Sequence, residues 1–295
     1  MYSGILNVDK KEGISSAKVV SLVRAAFGQK KVGHTGTLDL EASGVLPIVL
    51  GKATRVSDYM MDKQKTYRVR SFFGKKTDTL DKAGKVIGES NKTFQIADLK
   101  EAIKSYRGEI TQIPPMYSAL KVGGKKLYDL AREGIEIERK KRRVRIYDIK
   151  ILEFAFPLAS LEITCSKGTY IRTLVDDLGE DLGSFAYVDR LRRIRVGEFK
   201  VENAIKSDDI LSLSKDELIE RLYPIDTALG NFTPICLDKS YFKQAINGMT
   251  MRIDIKAPPQ ARLYIDNQFI GLARGENNGD EYFLKMEKVF YDRQN

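Results

Sequence analysis

Polar and apolar positions along the chain alternate in blocks with two periods, about two residues and about 3.6, which mark strands and helices. Residues 2–8 form a short apolar run ending at Asp9 and predict a strand. Ser15 or Ser16 then caps a helix whose apolar stripe is Val19, Val20, Val23 and Phe27, with Gly28 closing it. Val45–Leu50 reads as a buried strand, and Thr54–Met61 as a short helix. Thr66–Gly74 alternates, with Tyr67, Val69 and Ser71 on one face and Arg68 and Arg70 on the other. Ile96–Tyr106 is an amphipathic helix ended by Gly108, and Lys125–Glu133 a second one ended by Gly134. Arg145–Phe156 and Leu158–Ser166 pair as strands around Pro157. Thr173–Leu182 is a helix ended by Gly183, Tyr187–Glu198 a strand, and Ser207–Leu222 a helix capped by Ser207 or Asp208. Beyond about residue 231 the pattern changes to short strands punctuated by Gly248, Pro258-Pro259 and Asn277-Asn278-Gly279. Arg262–Arg274 and Tyr282–Phe290 are its clearest strands, so residues 231–295 read as a small β-rich module behind a larger mixed domain, 1–230.

Composition adds a partner class to this outline. The 295 residues are 42% hydrophobic, enough for a sizeable core, and the formal charge is +10. That balance favours a polyanionic partner, nucleic acid first and an anionic membrane surface second. Met1–Gly13 lacks the charged and apolar regions of a secretory signal, and no apolar run reaches the ~18 residues of a membrane span. Cys165 and Cys236 are far apart and unaccompanied, and His34 is the single histidine, so no disulfide framework and no metal site are expected. The chain reads as a cytoplasmic protein. Gly44, Gly51 and Lys52 lack the spacing of a nucleotide-binding loop, and no dinucleotide fingerprint follows a strand. The paired aspartates of Thr77–Gly84 fail the calcium-loop pattern and read as a polar turn.

The candidate chemistry concentrates in Gly33-His34-Thr35-Gly36-Thr37-Leu38-Asp39, which runs through Leu40-Glu41-Ala42-Ser43-Gly44 into Val45-Leu46-Pro47. Its glycines allow a tight loop, and the buried strand behind it would hold Asp39 in place as a nucleophile or acid/base. The ordinary reading is a turn-forming aspartate beside a structural histidine. A second feature is the basic run Arg139-Lys140-Lys141-Arg142-Arg143-Val144-Arg145. It is either a solvated loop or an arm that contacts phosphates, and the net charge favours the arm.

GHTGTLDLEASGVLPI resembles the catalytic motif of the TruB family of tRNA pseudouridine synthases. The KTYRV strand, the TDTLDKAG turn, the PPMYSALK loop and the CSKGTYIRT segment follow in family order and spacing, and the resemblance runs over residues 4–230. Leu40 and Lys11 stand where the family has prolines, which frees φ locally and bears on loop rigidity rather than on chemistry. The resemblance implies an α+β pseudouridine synthase fold: a bent, largely antiparallel mixed sheet flanked by helices, with a basic thumb-like insertion at about 115–145. It further implies a PUA-like RNA-binding module at 231–295.

By the same resemblance Asp39 is the nucleophile, attacking either C1′ of the sugar or C6 of the base, and Arg172 pairs with it. Tyr67 stacks on the target uracil and is a candidate to take the C5 proton. Tyr170 and Leu191 line the uridine pocket, and His34 helps hold the flipped-out RNA. Arg139, Lys140, Lys141, Arg142 and Arg143 would meet the RNA backbone. The implied substrate is the T-loop uridine of tRNA, position 55. The rearrangement is redox-neutral and needs no energy input, so no cofactor is expected. Nor is a membrane or an obligate protein partner, and the chain is expected to be a monomer. Two rivals remain: a non-catalytic protein that binds or folds tRNA, and a hydrolase for which Glu41 would have to be a second acid.

Overall fold

Strand β1 (Gly4–Lys10) and its antiparallel partner β2 (Ala42–Leu50) are covered on both faces, which is why both read as near-continuous apolar runs. In the computed structural model, which describes residues 1–118 and 120–291, they lie inside an 11-stranded mixed sheet. Ala119 of the Gln112–Lys121 loop and residues 292–295 of the tail are outside the described residues. The other long strands of that sheet are β3 (Lys65–Phe73), β4 (Gly108–Gln112), β5 (Arg142–Ala155), β6 (Leu158–Cys165) and β7 (Ala186–Val196). From β1 the order is β1-β2-β7-β3-β6-β5-β4. Every neighbouring pair in this series is antiparallel except β2–β7.

Helices cover the face that carries Tyr67, Val69, Leu161 and Ile163. Helix α1 (Ser16–Phe27) is capped by Ser15, whose hydroxyl accepts from Lys18 N, and closed by left-handed Gly28. It buries Val19, Val20, Val23 and Phe27. Helix α2 (Ile96–Ala102) continues as a 3-10 turn to Tyr106, and α3 (Ile171–Asp181) buries Ile171, Leu174, Val175 and Leu178. These stripes and the inward strand positions form one cluster.

A separate five-stranded sheet follows: β8 (Thr233–Leu237), β9 (Thr250–Ile253), β10 (Gln260–Ile265), β11 (Gln268–Asn278) and β12 (Glu281–Val289), in the order β8-β10-β11-β12-β9. It has its own core around Leu263, Ile270 and Leu284. Leu272 and Phe290 instead pack with Ile5, Val45, Val49 and Val196 of the large sheet. Lys52 donates to Tyr291 O at 2.6 Å and Tyr264 to Asp226 at 2.6 Å across the same boundary. Among the described residues no helix is long and apolar enough to cross a membrane.

Four expectations are corrected. Thr54–Met61 divides into a 3-10 turn, Gly51–Val56, and a helix, Ser57–Met61. Ser207–Leu222 is not one helix: Ser207 bonds back to β1, donating to Asp9 O and accepting from Lys11 N. The helix there is only Lys215–Glu220, started by a capping box of Ser214 and Glu217. Arg262–Arg274 is two strands, because Asp266 and Asn267 take φ of 48° and 62° and make the two-residue hairpin turn. Helix Leu127–Arg132 is shorter than Lys125–Glu133, since residues 125–126 pair with 121–122.

Candidate active site

Asp39 stands on the loop between the short strand Val32–His34 and β2, and that loop is fixed at nearly every residue. The buried Ser16 hydroxyl, in the first turn of α1, donates to Leu38 O (3.0 Å) and accepts from Leu38 N (2.9 Å). Gly13 N and the Lys10 ammonium both donate to Leu40 O, at 2.9 and 3.4 Å. The Arg193 guanidinium, inside the protein on β7, donates to Gly36 O (3.0 Å) and Val45 O (2.7 Å). Gly44 allows this closeness: it has φ of 107°, and a Cβ there would lie 2.1 Å from Arg193 O. With Leu38 and Leu40 both pinned, the intervening Asp39 side chain is directed outward and is 45% exposed.

Arg172 holds that carboxylate. It lies in the first turn of α3 with its side chain only 7% exposed, and Nη2 pairs with Asp39 Oδ2 at 2.8 Å. The same guanidinium donates to Tyr117 O (2.7 Å), Thr79 O (2.9 Å) and Asp81 Oδ2 (3.4 Å). Asp81 is itself oriented, accepting from Thr79 Oγ1 at 2.6 Å and Ala83 N at 3.1 Å. A planar donor fork satisfied on all sides cannot rotate away from Asp39. The turn Thr77–Gly84, expected to be merely polar, thus supplies two of the arginine's acceptors.

The pair opens on a cavity of about 100 Å3 lined by Asp39, Tyr67, Tyr170, Arg172 and Leu191, with Leu38 and Ala42 behind. Tyr67, on β3, is buried directly opposite Arg193 in the β3–β7 register. Burial raises its pKa, and the adjacent guanidinium partly offsets this. Tyr170, just ahead of α3, is gripped by the buried Gln112 side chain, which accepts from Tyr170 N (3.1 Å) and donates to Tyr170 O (3.2 Å). Its phenol is also raised, chiefly by burial. Lys10 is lowered to about 8, with burial the main cause and Asp39 opposing it.

His34 is half-buried near this cavity but does not line it. Its Nδ1 accepts from Gly36 N at 3.4 Å, and burial, with Arg193 second, lowers its pKa and favours the neutral ring. Glu41 lies with Asp81 and Lys82 in a smaller recess on the other side of Asp39. The basic run is spread over several settings. Arg139 donates to Pro114 O and pairs with Glu136, so it is committed inside the insertion. Lys140 and Lys141 line an open groove with Ile113 and Ile137. Arg142 and Arg143 belong to β5, paired with Gln112 and Thr111 of β4, rather than to a free arm.

Sequence reasoning missed Ser16, Asp81 and Arg193. Only Arg193 carried a local signal, because alternation along β7 puts it on the buried face with Leu191.

The architecture is that of a pseudouridine synthase. A chain in the crystal structure of a Cbf5–Nop10–Gar1 complex superposes with a TM-score of 0.75, at 24% identity, over 98% of this chain and 85% of that one. A chain in an H/ACA ribonucleoprotein bound to a substrate RNA containing 2′-deoxyuridine gives 0.75, at 22% identity, over 99% and 86%. Residues 24–171 match the family model described as the N-terminal domain of TruB family pseudouridylate synthase. Residues 172–230 match the tRNA pseudouridylate synthase B C-terminal domain. The protein belongs to the TruB family of pseudouridylate synthases. Its relatives include tRNA pseudouridine synthase B of Clostridium kluyveri, 41% identical over 97% of this chain and 99% of the relative. That of Clostridium acetobutylicum is 43% identical over 94% and 96%, and that of Actinobacillus pleuropneumoniae 40% identical over 92% and 91%.

Proposed function

We propose that the protein isomerises uridine to pseudouridine at position 55, in the T loop of tRNA, with Asp39 as nucleophile. The observation that carries this reading is the Asp39–Arg172 pair at the mouth of a cavity walled by Tyr67, Tyr170 and Leu191. A uridine reaches that cavity only after leaving its stack. Leu191 and the Tyr67 ring give the base an apolar and an aromatic surface, and the neutral His34 ring supports the flipped-out strand. The Asp39 carboxylate attacks C1′ or C6, and the C1′–N1 bond breaks. The base turns and C1′ bonds to C5, the bond to Asp39 breaks and frees the carboxylate, and the C5 proton leaves as N1 takes one up, with Tyr67 the candidate acceptor of the C5 proton. Bonds and electrons balance without redox chemistry. Arg172 keeps the carboxylate paired and aimed for its attack.

Residues 1–230 act as the catalytic domain, and its insertion at about 115–145 brings Lys140, Lys141, Arg142 and Arg143 to the RNA backbone. The β8–β12 sheet serves as a PUA-like RNA-binding module. The protein works as a cytoplasmic monomer with no obligate protein partner. The test is tritium release from unmodified tRNA transcript labelled at C5 of uridine. The wild type is expected to release about one equivalent and Asp39→Ala none. Tight binding without release would leave an RNA-binding protein, and free uracil a hydrolase.

A further inference from the structure

The outward face of β3 and β7 contains an arrangement that folding alone does not favour. In their antiparallel register Arg68 lies directly opposite Arg192, and Arg70 opposite Arg190. Like charges opposed across a strand pair are destabilising. Three of the four are propped by a carboxylate: Arg68 by Glu162 at 3.1 Å, Arg192 by Asp9 at 2.6 Å, and Arg70 by Asp189. The props sit lower than the cations. Side-chain exposure is 60, 35 and 42% for Arg68, Arg70 and Arg192, against 21, 21 and 16% for Glu162, Asp189 and Asp9. Each guanidinium has further N–H donors beyond those its prop engages, one of them on Arg192 donating to Ser43 Oγ at 3.4 Å. Arg190 is exposed and has no ion pair among the described residues.

These arginines, with Lys82, Ser43 and Ser160, line an open groove of about 530 Å3 that also holds the carboxylates of Glu153 and of Glu12, the ion-pair partner of Lys82. The groove runs to the catalytic cavity, because Leu191 lines both and Lys82 also lines the recess beside Asp39. Residues two apart on a strand are separated by about 7 Å, a spacing suited to successive phosphates of one nucleic-acid strand. We infer that this paired-arginine groove seats the phosphodiester backbone of the RNA strand that flanks the flipped uridine, with Arg190 as its uncompensated cation. The inference rests on the proposed function for its RNA. The half-buried props reduce repulsion between the arginines while leaving them charged, and the phosphates complete the compensation.

The experiment is a titration of full-length protein with unmodified tRNA transcript at salt from about 50 to 200 mM. Arg190→Glu is expected to weaken binding roughly tenfold at the low end. Arg190→Thr should make the slope of log affinity against log salt shallower by about 0.7–0.9, and Arg190→Lys should keep the wild-type slope. The loss belongs in Kd and KM rather than in the single-turnover rate at saturation. The thermal midpoint of Arg190→Thr should equal or exceed the wild type, since a like-charge contact is relieved. Unchanged affinity and slope in Arg190→Glu would overturn the inference, as would a binding loss matched by a lowered midpoint. Tritium release reports on the activity separately. A wild type that binds tRNA through Arg190 yet releases none keeps the groove and overturns the activity. One that releases tritium while Arg190→Glu binds normally does the reverse.

Discussion

The Asp39 loop and the insertion at about 115–145 both meet Arg172, and they are held in opposite ways. The loop is fixed by groups distant in sequence: Ser16, Gly13, Lys10 and Arg193 all bond to its backbone. Much of the insertion's bonding is internal, as in Leu127 N to Leu120 O, Tyr128 N to Ser118 O, and Arg139 to Pro114 O. It meets the body at Arg172, which donates to Tyr117 O. A nucleophile must be in position before the substrate arrives, so its support is buried and long-range. A segment that meets a phosphate backbone needs exposed charge and some freedom to adapt. Arg172 is where the two regions join.

Breaking that junction gives the largest expected effect. A lysine at 172 cannot span Asp39, Thr79 O, Asp81 and Tyr117 O with one ammonium. Arg172→Lys is therefore expected to lower the single-turnover rate roughly 10²–10³-fold while tRNA affinity changes only a few-fold. A loss below about tenfold would mean that charge alone suffices at this position. Changing Lys140, Lys141, Arg142 and Arg143 together to Gln tests the other region. Affinity should fall roughly 30–100-fold near physiological salt, with a shallower salt slope and little change in the rate at saturation. An unchanged slope would return the run to a solvated loop. Arg139 is left intact in that variant because it secures Pro114.

The same contrast explains what the sequence disclosed. The cap, stripe and terminator of α1 are local signals and were read at their correct positions, as was the alternation of β3. Asp39, Arg172, Tyr67, Tyr170 and Leu191 were found by family motifs, and they line one cavity. The supports were invisible for a physical reason. Asp81 meets Arg172 across 91 residues of chain, and Ser16 meets Leu38 across 22. Neither spacing follows from local periodicity. Ser207 looked like a cap because its hydroxyl is one in most contexts, and tertiary pairing with β1 took it instead. The split at Asp266-Asn267 was missed although an Asp-Asn pair accepts positive φ.

The smallest effect is a titration within the large sheet. The buried cations Lys10, Lys65 and Arg193 donate to backbone carbonyls there, whereas Lys140, Lys141, Arg142 and Arg143 of the insertion are exposed. Lys65, at the start of β3, donates to Lys63 O at 2.7 Å and to Met61 O. Burial is the main cause that lowers it from 10.5 to about 8, with Arg193 acting in the same direction. Below about 8 the folded and unfolded states both hold the proton, and the folded state bears the full cost of burying the charge. Between about 8 and 10.5 the unfolded state binds the proton that the folded state has released, so this group's contribution to stability rises with pH. Lys65→Met removes the titration and leaves a constant offset from the lost carbonyl bonds. The wild type should therefore gain on Lys65→Met by about 2–3 kcal/mol between about pH 7 and pH 10, measured by urea unfolding at each pH. A constant difference for Lys65 would mean that water reaches its ammonium in the folded protein, and that the start of β3 is wetter than its geometry implies.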